Sequence, residues 1–201
     1  MNLPNKLSIA RICMVPFFML FITPLPDWVI NLSVLSGFRF FNGFNDFILN
    51  YGAYVAAAIF IAASVTDAFD GYLARKNNQI TSYGAFLDPI ADKLLITASL
   101  VALCDRGLIS AWTVVIIIGR EFIVTGLRLV AANEGVVISA GKSGKIKMII
   151  QIIVVFVVLI VSDPSNLWVS LIVFVMVIAT IYSGVDYFVK NKEALKNLKM
   201  K

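Results

Sequence analysis

The chain has 201 residues, of which 60% are hydrophobic and only 14% are charged. Together with a mean hydropathy of +0.90, this composition indicates an integral membrane protein and argues against a soluble domain. The sequence contains no histidine, which excludes histidine general-base catalysis and histidine-ligated zinc.

Six long apolar runs predict six transmembrane helices and therefore an all-α integral membrane bundle. The runs cover residues 7–26, 51–74, 84–104, 111–131, 147–162 and 167–189. Because these runs take up most of the chain, we expect a single membrane-embedded domain over residues 1–201. Residues 1–8 are predicted to form an arm on the membrane surface, and residues 190–201 a basic cytoplasmic tail that lies on anionic lipid.

The distribution of lysine and arginine sets the predicted orientation. If the N-terminus is cytoplasmic, nearly all basic residues fall at cytoplasmic segments, and Arg39 and Arg106 fall on the opposite side. This positive-inside bias predicts that both termini are cytoplasmic. Because the basic residues lie beside membrane spans, the net charge of +5 favours anionic lipids and phosphate substrates as binding partners. We expect no nucleic-acid partner. We expect a multi-pass protein of a bacterial cell membrane.

Residues 27–50 separate the first two runs and are rich in phenylalanine, glycine and asparagine. We predict an outer connection here, whose aromatic side chains anchor it at the membrane interface.

Four aspartates stand where the second run ends and the third begins. Asp67 and Asp70 are three residues apart, and Asp88 and Asp92 are four apart. Residues at these spacings are neighbours on one face of a helix. Two helices are therefore predicted to carry one acidic face each, near their cytoplasmic ends. Helix capping would account for one or two of these acids, but not for four.

An acidic cluster of this kind predicts a divalent metal site. Four like charges in a poorly solvated place repel strongly unless cations neutralise them. Two divalent cations would balance them, and ligation by oxygen alone favours Mg²⁺ or Mn²⁺. Such a pair of ions can hold a phosphoryl group during in-line displacement. The small residues Gly71, Ala74 and Gly84 leave room for the substrate beside the acids.

The complete pattern is DxxDGxxAR from Asp67 to Arg75, followed by GxxxDxxxD from Gly84 to Asp92. It resembles the signature of the CDP-alcohol phosphatidyltransferases. The resemblance implies transfer of a phosphatidyl group from CDP-diacylglycerol to an alcohol, with release of CMP. It also implies a homodimer.

The resemblance further implies a role for each position of the motif. Asp92 is the implied general base, which also serves as a metal ligand. The implied metal ligands are Asp67, Asp70, Asp88 and Asp92. The implied contacts to the nucleotide of the donor are Gly71, Ala74, Arg75 and Gly84.

The fourth run carries Arg120, Glu121 and Arg128. Ionisable residues inside a span are costly and are functional candidates by default. We expect no direct pair between Arg120 and Glu121, because neighbouring residues point to different faces of a helix. Asp186, at the end of the sixth run, is predicted to be a helix-end charge.

A glycine-spaced basic run, Gly141-Lys-Ser-Gly-Lys-Ile-Lys147, enters the fifth span. The preference for basic residues on the cytoplasmic side explains part of this run. The run and the Asn-Leu-Pro-Asn-Lys opening also resemble the phosphatidylglycerophosphate synthase branch of the family, although Met148 stands where threonine is expected. We predict one cationic pocket for an acceptor phosphate, beside the metals and formed by Arg120, Arg128, Lys142, Lys145 and Lys147.

A cationic pocket suits an anionic acceptor, so we favour sn-glycerol 3-phosphate, which would give phosphatidylglycerophosphate. Phosphatidylglycerol, serine and inositol phosphate remain open as acceptors for the same donor chemistry. A cation transporter with intramembrane carboxylates is an alternative of a different class. Transporter sites lie near the midplane at inverted repeats, whereas these acids lie near helix ends and the sequence shows no repeat.

Overall fold

A computed structural model of the chain describes part of its length. The backbone is described for residues 3–24, 39–77, 82–133 and 141–192. Side chains are described for residues 9–24, 43–66, 90–91, 93–132 and 141–192. Over this part of the chain the fold is all-helical and contains no strand, as predicted.

The described helices follow the apolar runs. They are α1 (Leu3–Ile22), α2 (Arg39–Phe47), a π-helical segment (Ile48–Gly52), α3 (Ala53–Asn77), α4 (Ser82–Asp105), α5 (Ala111–Asn133), α6 (Lys142–Val161) and α7 (Leu167–Lys190). Within the described residues, three segments are long and apolar enough to cross a membrane: Gly43–Thr66, Lys142–Val161 and Leu167–Lys190. These segments fit the membrane composition of the chain.

The predicted outer connection over residues 27–50 is helical from Arg39, because α2 begins there and continues through the π-helical segment into α3. A candidate membrane span begins at Gly43, so the predicted boundary at residue 50 lies too late in the chain. Residues 27–38 lie outside the described part. The aromatic residues of α2 make tertiary contacts: the Phe44 ring meets the Phe21 ring of α1 edge-on, at 6.2 Å between centroids. Such packing overrides the weak helix propensity of glycine and asparagine.

Contacts between residues divide the chain into two compact units. The first consists of Met1–Leu108 with Phe156–Ser162, and the second of Ile109–Val155 with Asp163–Lys201. In the first unit α1 packs against both α3 and α4. Phe18 of α1 and Phe60 of α3 are fully buried, with 6.4 Å between ring centroids. In the second unit α5 packs against α7.

The helices of the first unit approach closely at Gly52, at the end of the π-helical segment. A Cβ atom added to Gly52 would lie far inside van der Waals contact with the carbonyl oxygen of Phe21 on α1. We therefore expect Gly52→Ala to lower the free energy of unfolding by about 1–3 kcal/mol, because backbone must move to admit the methyl group. Thermal unfolding of the purified protein in detergent measures this loss.

Gly43→Ala is the matched control, since Gly43 is also helical and a Cβ atom there would meet nothing within 4 Å. Alanine is a better helix former than glycine by up to about 1 kcal/mol, so this variant should be unchanged or more stable. Equal melting temperatures for the two variants would contradict the close packing at Gly52.

Candidate active site

The two halves of the acidic motif lie on two helices of the first unit. Asp67 and Asp70 lie in the C-terminal half of α3, and Asp88 and Asp92 in the N-terminal half of α4. The remaining motif positions follow the same division, with Gly71, Ala74 and Arg75 on α3 and Gly84 on α4. Both helices pack on α1. The side chains of these eight residues lie outside the described part.

The side chains of the acidic motif determine which metal ions it can bind. Among the side chains that are described, no group of three or more histidine, cysteine, aspartate or glutamate residues comes together. The four aspartates of the motif therefore remain the candidate donor set. Aspartate side chains that are three or four residues apart on a helix lie on one face, and their carboxylate oxygens suit a hard divalent cation such as Mg²⁺.

In the second unit, one carboxylate joins two of the predicted acceptor-site cations. The Glu121 side chain of α5 accepts a hydrogen bond from Arg120 at 3.0 Å and one from Lys147 of α6 at 2.5 Å, both at Oε1. Lys147 is buried, with only 5% of its surface exposed. Two positive charges share one negative charge, so this group of three keeps a net charge of +1.

The prediction that Arg120 and Glu121 do not pair is wrong. That prediction used the rule that neighbouring residues point to different faces of a helix, which describes only the directions of their Cβ atoms. The arginine side chain is long enough for its guanidinium to reach across this difference in direction.

Arg120 also links α5 to α7. Its Nη2 group donates a hydrogen bond of 2.7 Å to the hydroxyl of Ser183. The neighbouring Gly184 lets the arginine stem lie close, since a Cβ atom at that glycine would stand 3.4 Å from Arg120 Cγ. The position of the Arg120 guanidinium is therefore set by residues of both helices.

The other predicted cations divide into two kinds. The Arg128 guanidinium stands over the ring of Tyr187 on α7, 5.6 Å from its centroid, a cation–π contact. Lys142 and Lys145 are exposed at the start of α6. Within this unit the structure thus brings Arg120 and Lys147 together around Glu121, holds Arg128 against α7, and leaves the first two lysines of the basic run at the surface.

Several polar residues beside these cations escaped the sequence prediction. Asp186 accepts hydrogen bonds from Ser143 of α6 at 2.5 Å and from Lys190 at 2.9 Å, and so joins α6 to α7. The prediction of a helix-end charge for Asp186 therefore misses this link between helices. Ser183 carries no signal in the sequence, because a single serine in an apolar helix most often bonds to its own backbone.

A groove of about 320 Å³ lies between α5 and α7. Apart from Arg120 it is lined by apolar residues and two glycines: Val115, Ile116, Gly119, Ile123, Val124, Gly184 and Phe188. A groove of this composition suits a hydrocarbon chain and not a polar solute.

Comparison with known proteins agrees with the motif. The family model described as CDP-alcohol phosphatidyltransferase matches residues 1–183. The CDP-diacylglycerol–glycerol-3-phosphate 3-phosphatidyltransferase of Bacillus subtilis (strain 168) is 45% identical over 199 residues, which cover 97% of each chain.

More distant relatives have similar names. A probable phosphatidylglycerophosphate synthase of Mycobacterium tuberculosis (strain H37Rv) is 36% identical over 187 residues, 92% of this chain and 79% of the relative. The CDP-diacylglycerol–glycerol-3-phosphate 3-phosphatidyltransferase of Rickettsia felis is 32% identical over 192 residues, 93% of each chain. The chain belongs to the CDP-alcohol phosphatidyltransferase family.

Proposed function

We propose that this protein transfers the phosphatidyl group of CDP-diacylglycerol to sn-glycerol 3-phosphate, giving phosphatidylglycerophosphate and CMP. One observation carries the proposal: the complete acidic motif lies on two helices, α3 and α4, that pack on the same helix α1. The 45% identical relative is named for this reaction, which supports glycerol 3-phosphate as the acceptor.

The acidic residues of the motif would hold two divalent cations, Mg²⁺ or Mn²⁺. The proposed ligands are Asp67, Asp70, Asp88 and Asp92. When bound, the cations supply positive charge that stabilises the developing charge on the transferring phosphoryl group. The small residues Gly71, Ala74 and Gly84, together with Arg75, border the cytidine nucleotide of the donor in this proposal.

Asp92 is the proposed general base. It accepts the proton of the acceptor hydroxyl while that oxygen forms its bond to the β-phosphorus of CDP-diacylglycerol, and the bond from this phosphorus to the oxygen of CMP breaks. A carboxylate is a weak base near neutral pH. It can act here because the hydroxyl becomes acidic only as its oxygen bonds to phosphorus, so the position of the base matters more than its resting basicity.

The cations of the second unit are the proposed acceptor site. Arg120 and Lys147 keep a net positive charge after pairing with Glu121, and a partly buried positive group attracts a phosphate. Arg128 adds a planar guanidinium suited to phosphate oxygens. Lys142 and Lys145 belong to the same site in this proposal. Their exposure suits first contact with the anionic acceptor.

We place the protein in the cell membrane as one multi-pass domain of six spans, with both termini and the active site at the cytoplasmic face. The positive-inside bias supports this orientation, and the family match to residues 1–183 crosses both compact units. The tail 190–201 contacts anionic lipid in this proposal, and residues 1–8 lie at the membrane surface. We further propose a homodimer.

Release of CMP tests the proposed reaction. Purified protein is incubated with CDP-diacylglycerol, Mg²⁺ or Mn²⁺, and one acceptor at a time: glycerol 3-phosphate, serine, inositol phosphate or phosphatidylglycerol. We expect release with glycerol 3-phosphate and little with the others, because the 45% identical relative is named for the reaction with glycerol 3-phosphate. Release driven by another acceptor would contradict the assignment of glycerol 3-phosphate but not the donor chemistry. No release from folded protein with any acceptor would contradict the transferase function.

A further inference from the structure

Arg11 is a buried cation near the middle of α1, and the proposed reaction gives it no role. The residue is 3% exposed. Burying an arginine is costly, because the guanidinium loses its hydration and stays charged, so buried arginines have a negatively charged partner. Helix α1 contains no aspartate or glutamate. The negative charge that balances Arg11 therefore comes from outside α1.

Few carboxylates of the first unit are placed to balance Arg11. Among its described side chains the only acids are Asp46 and Asp105, and both are exposed. Asp46 belongs to α2, which contacts α1 through Phe44 and Phe21, ten residues or about 15 Å along α1 from Arg11. Asp105 is the last residue of α4, at the end opposite to the acidic motif. The remaining acids on the helices of this unit are the four of the motif.

The packing of α1 on α3 sets which acid lies level with Arg11. The last turn of α1 lies against the π-helical segment that precedes α3, and Phe18, one turn earlier, contacts Phe60 further along α3, so the two helices run antiparallel. Arg11 is seven residues before Phe18, and Asp67 is seven residues after Phe60. Seven residues make about two helical turns and return to the same face. Arg11 is therefore level with Asp67, on the faces by which α1 and α3 pack.

The direction of helical side chains brings Arg11 closer to the motif. Long side chains on a helix lean toward its N-terminus, and in this antiparallel pair the N-terminal half of α1 lies beside the C-terminal half of α3. The buried face of α4 leads to the motif as well. Ala91, Leu95 and Ser99 are buried at steps of four residues, and Asp88 precedes Ala91 by three, a spacing that stays on one face. Since α1 packs against both helices, both halves of the motif border the helix that carries Arg11.

We propose that Arg11 is a positioning residue, the fixed countercharge of the acidic motif. When no divalent cation is bound, its guanidinium neutralises part of the charge of the four aspartates and keeps the acidic faces of α3 and α4 together beside α1. This inference rests on the proposed function, which gives these acids two divalent cations. Arg11 and the cations repel each other, so Arg11 also weakens metal binding.

Arg11→Met removes the charge and keeps a long unbranched side chain. In EDTA and without substrate, we expect its melting temperature to lie about 6–12 °C below that of the unmodified protein, because the acids lose their countercharge. Mg²⁺ should remove most of this difference, since the cations supply the missing positive charge. By reciprocity, the half-saturating Mg²⁺ concentration should fall about tenfold. Thermal unfolding in detergent over a Mg²⁺ titration measures each of these effects without turnover.

Three further variants control this experiment. Arg11→Lys keeps the charge and should restore most of the stability lost in EDTA. Arg11→Met combined with Asp67→Asn removes one acid together with the cation, so it should melt above Arg11→Met in EDTA. Arg106→Met is the matched control, because Arg106 is an arginine of the first unit that directly follows α4, about 20 Å along the chain direction of that helix from Asp92. It should leave the Mg²⁺ dependence unchanged.

Four results would overturn the inference. A loss of melting temperature that is equal at every Mg²⁺ concentration, or a variant that does not fold even in Mg²⁺, would make Arg11 a structural cation with another partner. A higher half-saturating Mg²⁺ concentration would mean that Arg11 helps the acids to bind metal. An unchanged melting temperature with a raised KM for CDP-diacylglycerol would assign Arg11 to the donor. Failure of the proposed function is recognised separately, because the unmodified protein would then gain no stability from Mg²⁺ and release no CMP.

Discussion

Asp92→Asn is expected to lower the rate of CMP release by at least about 100-fold, because an amide cannot accept the proton of the acceptor hydroxyl. The substitution keeps the size and shape of the side chain, and Asp92 lies within α4, so we expect the helix to persist. Initial rates at saturating CDP-diacylglycerol, glycerol 3-phosphate and Mg²⁺ measure the effect, with circular dichroism to confirm that the variant is helical.

Asp105→Asn is the control on the same helix, since Asp105 is exposed at the last residue of α4 and should keep its full rate. A titration with Mg²⁺ separates the two roles proposed for Asp92. If the acid serves as base, the lost rate stays lost at high Mg²⁺. Recovery of most of the rate at high Mg²⁺ would assign Asp92 to metal binding alone and leave the base to be found elsewhere.

The helical placement of the acidic motif could be predicted from the sequence, whereas α2 could not. Spacings of three and four residues and long apolar runs both have a helical period, so Asp67 and Asp92 were expected on helices. Residues 39–47 contain glycine and asparagine, which favour turns. Their helix is supported by contacts such as that of Phe44 with Phe21, and a contact between distant residues leaves no local pattern.

The charged residues of the second unit show a different limit on what can be predicted from the sequence. Lys145 and Lys147 are the same residue type two positions apart, and helical geometry places them on different faces. Nothing local indicates which face packs against other helices, yet Lys147 is buried beside Glu121 and Lys145 is exposed. The functional candidates on α5 were found because charge inside a span is costly, but their partners depend on how the helices meet.

Glu121→Gln is expected to lower the melting temperature by about 6–12 °C. The glutamine removes the carboxylate that accepts a hydrogen bond from the buried Lys147, and the loss of one partner from a buried pair costs about 3 kcal/mol. The KM for glycerol 3-phosphate should fall or stay the same, because the site becomes more positive. Thermal unfolding in detergent and acceptor titrations measure the two effects. Lys145→Met, at an exposed lysine, should leave the melting temperature unchanged.

The double variant Glu121→Gln with Lys147→Met separates structure from binding. It removes the buried lysine charge with its counter-charge, so most of the lost stability should return, whereas the KM for glycerol 3-phosphate should rise because a phosphate-binding cation is gone. If the double variant melts as low as Glu121→Gln, the pair with Lys147 is not what Glu121 stabilises. If it melts normally with an unchanged KM, Lys147 is a structural cation, and the acceptor site is left with the half-buried Arg120 and Arg128 as its donors.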